Sequence, residues 1–467
     1  MRDTSISTRP LHLPYLGGLS GLLLLAAMAG CGDSGPTGPG SRPAGMELLS
    51  GGAQRAVPGL PVAEPVVVRV VDSQGRPVAG VTVAFTPAAG HGQADPASAA
   101  TNADGRAAST WTLGAGIGVQ SLQVSAADTV LSVAAEAVDL DRELDALFAP
   151  ASAAEVEAVR SDWAGRDVSA SAVAVEHEEP FSLAGRATLR ILSHRVAGVL
   201  HYGAVLVPDG AAAESLPLLL YLHGGDRGVS VDEIQIVAFA LGPLVDRFVY
   251  VIPSFRAEPV RHGGESWVSE GPASPWDHDV DDTLALVNAV FESTPEARPG
   301  GMAVVGASRG AGVALLAGIR DERIERIIAL FGPTDFFDDW VRQIVREAAL
   351  GQSRDLPGVA HLDSTVIAPY IRGEIPLPEA RLEIVRRSAV LFAEDLPPVQ
   401  LHHGTADGVV SVSQAESLRG TMDTLGRTPP GFEAFIYPGG GHSYFSLDGL
   451  IPRSAEFLRD WFASLGR

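Results

Sequence analysis

The residues of this chain best placed to do chemistry are Ser308, Asp407 and His442, each within two positions of a glycine. Ser308 is the centre of Gly306-Ala307-Ser308-Arg309-Gly310, between an apolar run at 302–305 and a small-residue stretch of helical spacing at 311–319. A serine on a tight strand-to-helix turn is held in a strained backbone conformation, and the residues two positions away on either side must lack bulk. Such a turn presents a hydroxyl as a nucleophile. The hydroxyl then needs a base to take its proton and an acid to fix the tautomer of that base. Asp407, in His403-Gly404-Thr405-Ala406-Asp407, follows an apolar run at 399–402. His442, in Gly439-Gly440-Gly441-His442-Ser443, follows one at 434–437. Each would sit past the carboxyl end of a strand, where open α/β sheets bind their ligands. Asp335, in Phe331-Gly332-Pro333-Thr334-Asp335, also follows a strand and is the competing acid.

Attack on an acyl carbonyl creates an oxyanion, and Tyr221-Leu222-His223-Gly224-Gly225-Asp226 could answer it. Glycines after a strand let backbone approach a substrate, so the N–H groups of Gly225 and Arg309 are the candidate donors. His223 is expected to be structural. The Arg309 side chain could pair with a substrate carboxylate, but a salt bridge to an acid of the 336–395 segment is the plainer expectation. Asp277, Asp279, Asp281 and Asp282 with His278 resemble metal ligands only superficially. They are expected to begin a helix over 280–291, where negative charge complements the helix dipole. His402 and His403 are read as packing groups and His91 as a lone loop histidine. The set calls for no metal and no cofactor.

Composition excludes several alternatives. The formal charge of -22 works against a polyanionic partner, so nucleic acid is not expected. There is no lysine, which rules out Schiff-base catalysis, Ser-Lys dyads and a P-loop lysine. The single cysteine, Cys31, allows no internal disulfide and no thiolate cage. Arg2 and Arg9 precede an apolar stretch at 16–28 that ends in Met28-Ala29-Gly30-Cys31. Small residues before that cysteine resemble the lipobox of bacterial lipoproteins, which implies a signal peptide over 1–30 and a lipid on Cys31. The chain would then be anchored to the cell envelope, on its periplasmic or outer-membrane face. Gly, Ser and Pro over 31–45 read as a flexible tether.

With 467 residues the chain should hold more than one folded unit. Residues 46–138 alternate short β-rich runs with turn signals and predict an all-β sandwich, with strands at 66–71, 81–85, 107–113 and 121–126. Residues 139–185 read as a connecting, largely helical segment. From 186 to 467, strands alternating with helical stretches predict a mostly parallel sheet with helices on both faces. The 336–395 segment is longer than a crossover needs and is read as a helical lid over the pocket.

The wording of 66–126, "VVVRVVDSQGRPVAGVTVAFTPAAGHG" and "TNADGRAASTWTLGAGIGVQSLQVSA", is similar to the bacterial Ig-like domains (Big-1) of intimin and invasin adhesins, where the domain is a spacer. "LPLLLYLHGG", "VVGASRGAGVALLAG", "VQLHHGTADGVVSVSQAESL" and "YPGGGHSYF" resemble the catalytic α/β-hydrolase domain of the prolyl oligopeptidase family and its dienelactone-hydrolase-like relatives. That resemblance implies a serine hydrolase with Ser308 as nucleophile, Asp407 as acid and His442 as base, acting on a small ester or peptide. Many family peptidases carry an aromatic residue after the nucleophile and glycine two places later, where Arg309 and Ala311 stand here. The β-propeller of the oligopeptidases has no counterpart. The competing expectation is an adhesion or scaffold lipoprotein whose hydrolase domain is inactive.

Overall fold

A computed structural model of the chain describes residues 42–183 and 185–466, and the expected signal peptide, Cys31 and nearly all of the tether lie outside them. Residues 45–137 form two facing sheets. One joins Gly45–Ser50, Val66–Val71, Arg106–Thr112 and Gln93–Asp95; the other joins Gln54–Ala56, Thr129–Ala137, Gly118–Ala126, Thr82–Pro87 and Ser98–Ala100. Alternation drives this packing, since in Arg106–Thr112 every second residue is buried. Val68, Phe85, Trp111, Leu122 and Val124 fill the space between the sheets. Two turns between these strands close on a side chain. The Asp72 carboxylate accepts the Gln74 and Arg76 N–H groups at 2.9 and 3.0 Å, and the Asn102 carbonyl oxygen accepts those of Asp104 and Arg106 at 3.0 and 2.9 Å.

Two helices follow, α1 (Leu140–Leu147) and α2 (Ala153–Ala164), the second opened by a reciprocal Ser152–Glu155 capping box. The segment read as a connector then turns into sheet. Strand β1 (Ser171–Ser182) pairs antiparallel with β2 (Arg186–Val196), which pairs with β3 (Val199–Pro208). The sequence reading missed β1 and β2. β1 is an edge strand whose residues are nearly all exposed or half-exposed, and charge such as Glu176, Glu178 and Glu179 protects an unpaired edge while hiding the strand from a hydrophobic pattern.

The sheet continues through β4 (Leu216–Leu222), β5 (Val249–Pro253), β6 (Ala297–Ala307), β7 (Ile324–Leu330), β8 (Val399–Gly404) and β9 (Phe432–Tyr437). Its nine strands run in the order β1-β2-β3-β5-β4-β6-β7-β8-β9, and from β5 onward every pairing is parallel. Parallel strands buried on both faces read as continuous apolar runs, and all seven residues of β4 are buried. Adjacent residues serve opposite faces. Val304 packs into the core shared with α4 (His278–Ser293) and α5 (Arg309–Arg320), whereas Val305 packs with Val237 of α3 (Ile234–Leu241), Leu458 and Trp461 on the other side.

Register fixes where the loops emerge. Leu222 lies beside Gly306, Ala307 beside Leu330, Leu330 beside His402, and Gly404 beside Tyr437. The loops bearing His223, Ser308, Asp407 and His442 therefore leave one edge of the sheet.

Residues 336–395 are helical, with Asp339–Ala349 and Leu377–Val385 the longest pieces. α1 and α2 brace them through arginine. Arg381 reaches the Glu155 carboxylate at 2.5 and 3.0 Å and donates to the carbonyls of Ala146, Leu147, Ala149 and Pro150 past the end of α1. Arg160 pairs with Glu394 and Asp395, Arg342 with Asp145, and Arg346 with Asp141. The Arg381 hydrogen bonds draw the Glu155 pKa from its ordinary 4.5 to about 2, with Ser152 assisting against a smaller opposing effect of burial. A carboxyl depressed in the folded state stabilises fully above 4.5, and that contribution is lost as pH falls toward about 2. Glu155→Gln should therefore flatten the fall in thermal midpoint between those pH values, measured by circular dichroism. An unchanged slope would remove this pair from the acid response.

Candidate active site

β6 ends at Ala307 and α5 starts at Arg309, so Ser308 alone makes the turn, at φ 53° and ψ -120°. A non-glycine residue held there carries on the order of 1–3 kcal/mol of backbone strain. Close packing imposes it. A Cβ on Gly306 would lie 2.2 Å from the Gly310 carbonyl oxygen, and one on Gly310 would lie 2.1 Å from that of Leu222. The Ser308 N–H is tied to the Leu330 carbonyl at 2.8 Å, which fastens the turn to β7.

The loops after β8 and β9 interlock in the same way. A Cβ on Gly404 would meet the Gly440 oxygen at 2.1 Å, and the Ala406 N–H donates to that oxygen at 2.8 Å. This brings His442 Nδ1 to 2.7 Å from Asp407 Oδ2. The other carboxylate oxygen accepts the Val409 and Val410 N–H groups at 2.9 and 3.0 Å. Burial acts to raise the Asp407 pKa, but the His442 hydrogen bond and the two amides outweigh it and hold the carboxyl below its ordinary value. Asp335 is engaged elsewhere, with Ser417 Oγ at 2.6 Å and the Phe337 N–H at 2.8 Å.

Ser308 and His442 line one open cleft with Gly224, Gly225 and Tyr444, enclosing about 1250 Å³ with its mouth included. The Ser308 hydroxyl makes no hydrogen bond to His442 among the described residues.

Three of the other histidines singled out in the sequence have closed roles. His403 donates to the Val410 carbonyl at 3.0 Å, His402 lies between Tyr437 and Gln400 at 2.8 and 2.9 Å, and His91 accepts the Ser121 N–H at 2.8 Å. Burial pushes His402 down to about 3.

The His223-Gly224-Gly225 loop is held from beneath. Burial pushes His223 down to about 4, so its neutral ring donates Nδ1–H to the Gly224 carbonyl at 3.0 Å. In a trans peptide the N–H opposes the carbonyl, so the Gly225 N–H faces away from that ring. Gly224 approaches Ser308 so closely that a Cβ there would lie 3.0 Å from Ser308 Cβ. The Arg309 N–H belongs to the first turn of α5, where amides lack helical partners.

The Arg309 side chain corrects both expectations made for it. Its side chain is 1% exposed and grips both Asp279 oxygens at 2.8 Å. A second ion pair runs to Glu258 Oε1 at 2.5 Å, and Nη1 also reaches the Gly225 carbonyl at 3.2 Å. Neither partner belongs to the 336–395 segment, and the guanidinium lies buried between these two acids instead of free to meet a substrate carboxylate. The other Glu258 oxygen accepts the Gly228 N–H at 2.9 Å, so one buried cluster fixes the glycine loop at two points. Glu258 went unnoticed in the sequence, although a charged pair, Arg256 and Glu258, directly after a buried strand was a signal for it.

The acidic cluster begins α4 as expected, with Asp277 at the N-cap and Asp279 and Asp281 in the first turn, and its carboxylates also serve as buried counterions. Asp282 binds Arg256 at 3.1 Å, Asp277 binds Arg166 at 2.6 Å, and Asp281 binds Arg320 at 2.5 Å. Among the described residues no group of His, Cys, Asp and Glu is arranged to hold a metal ion.

A mostly parallel sheet covered by helices, with a strained serine between strand and helix and an Asp–His pair on neighbouring loops, fits an α/β-hydrolase domain. No family model and no curated protein matches the sequence. Among solved structures the chain is similar to acetyl xylan esterase 1 of Thermoanaerobacterium sp. JW/SL YS485, at 16% identity and TM-score 0.48, over 70% of this chain and 99% of that one. It is also similar to an esterase of Pyrococcus furiosus (17%, TM-score 0.41, 62% and 96%). A third is the acylaminoacyl peptidase of Pyrococcus horikoshii (13%, TM-score 0.43, 76% and 50%). Likenesses this distant carry no argument about substrate.

Removing one partner of a buried ion pair costs on the order of 3–5 kcal/mol, because the other charge stays buried and unpaired. Arg309→Met should therefore lower the apparent thermal midpoint by about 10 °C. A shift of only a degree or two in calorimetry would show that the cluster is not holding the turn.

Proposed function

We propose that the chain is a serine hydrolase that cleaves ester or peptide bonds through an acyl-enzyme. The observation that carries this is the buried Asp407 hydrogen-bonded at 2.7 Å to a histidine that shares a cleft with a strained serine. Ser308 Oγ attacks the acyl carbon while His442 Nε2 takes its proton, and Asp407 holds the tautomer that leaves Nε2 free to do so. The N–H groups of Gly225 and Arg309 receive the oxyanion; one such donor is worth on the order of 3 kcal/mol in the transition state. The bond to the leaving group then breaks, and that group departs with the proton from His442. Water, deprotonated by the same histidine, releases the acid and restores Ser308.

The rest of the chain suits display at the cell envelope. Cys31 would carry the lipid, residues 31–45 would form the tether, and the two-sheet unit would act as a spacer of the bacterial Ig-like kind. Residues 336–395 would cover the pocket. An inactive adhesion or scaffold protein is the contrary reading, and a strained serine beside an Asp–His pair argues against it.

A fluorophosphonate probe should label the wild type and not Ser308→Ala, and Asp407→Asn should lower kcat for p-nitrophenyl esters by about four orders of magnitude. A wild type that resists labelling would favour the scaffold. Cys31→Ser should move the protein from the membrane fraction to the soluble fraction of expressing cells. Retention of the variant in membranes would dismiss the lipid anchor.

A further inference from the structure

Ser308 stands between two spaces, one open and lined by both polar and apolar groups, the other almost wholly apolar. One is the open cleft, whose walls include His442, Asp232, Glu233 and Tyr444. The other is a recess enclosing about 710 Å³, mouth included, reached from Ser308 and Arg309. Its walls are apolar: Trp276, Phe336, Trp340, Ile344, Val345 and Ile367. Two charged groups border it. Arg309 is spent on Asp279 and Glu258, and burial pushes the Asp363 carboxyl up toward its neutral form.

Catalysis decides which part of a substrate goes where. His442 must give its proton to the leaving group, so that group has to lie in the space His442 lines. His442 borders the open cleft and is absent from the recess. The acyl group is left with the recess. Its side chains come largely from the 336–395 segment, which Arg381, Arg160, Arg342 and Arg346 fasten to α1, α2 and the residues that join them, so the walls are set before a substrate arrives.

We infer that the recess is an acyl pocket and that the chain acts on esters or amides of apolar acids larger than acetic acid, with the leaving group in the open cleft. This rests on Ser308 being the nucleophile. An acetyl group would leave most of the recess unfilled and forgo the burial it offers, whereas a hexanoyl or phenylacetyl group would take that burial up.

The test holds the leaving group constant and varies the acid, comparing kcat/KM for p-nitrophenyl acetate, butyrate, hexanoate and phenylacetate. Hexanoate or phenylacetate should exceed acetate by at least about tenfold. Ile344→Trp, which fills the recess, should cut the hexanoate-to-acetate ratio by a similar factor. Trp340→Ala, which widens it, should move the optimum toward octanoate. Labelling of each variant by a small fluorophosphonate reports that the site is assembled. Acetate as the best wild-type substrate, or variants that label normally with an unchanged ratio, would overturn the acyl pocket and leave the serine hydrolase standing. A wild type that neither labels nor hydrolyses any of the esters would overturn both.

Discussion

The guanidinium of Arg309 is the point at which the site is tied together. It joins Asp279 of α4, Glu258 of the loop after β5 and the Gly225 carbonyl of the loop after β4, while its own backbone begins α5 directly behind Ser308. A planar group with several donors in a fixed fork can hold three partners at once, which an ammonium group on a flexible stem does less well. Phe255 closes the arrangement, with the guanidinium 4.7 Å above its ring and His223 4.5 Å from it on centroids. Burying these charges has a desolvation cost that an apolar cluster would avoid. What the ions supply is geometry, since Glu258 and Arg309 hold one N–H and one carbonyl of the glycine loop in fixed positions.

Strain at Ser308 has to be offset by packing around it. The turn cannot relax outward, because Gly310 is pressed on the Leu222 carbonyl, Gly332 is pressed on the Ser308 carbonyl, and the Ser308 N–H is bound to β7. β4, β6 and β7, the strands those contacts lean on, are buried on both faces. Distorting the turn would disturb the centre of the sheet. The same logic joins Asp407 to His442, where two glycine loops lie too close for any side chain between them.

What the sequence made legible were the features that leave a local trace. Gly306 and Gly310 mark the turn because steric exclusion acts within a few residues. The buried parallel strands announce themselves because both faces are apolar, so the runs at 302–305, 399–402 and 434–437 were legible as strands, each shorter than the observed β6, β8 and β9. The charged edge strand β1 left no such trace, and residues 171–182 passed for part of a connector. Asp279 was opaque for another reason. An acid in the first turn of a helix looks the same in sequence whether it faces water or a buried arginine, and only tertiary packing separates the two. The partner of Arg309 was sought in the wrong segment because nothing in sequence spacing links positions 279, 258 and 309.

The all-β unit is more than a bead ahead of the α/β domain. Val57 and Leu60 from its loops and Val138 at its end pack in the same apolar core as Leu144, Leu147 and Tyr370. Arg55 pairs with Glu143 of α1 at 2.7 Å, and the Tyr370 hydroxyl donates to the other oxygen of that carboxylate at 2.6 Å. Tyr370 lies three residues past Ile367, a wall of the recess beside Ser308. A continuous path of packed groups thus leads from the N-terminal sheets through α1 to the recess beside Ser308, so the sheets and the walls of that recess belong to one packed body.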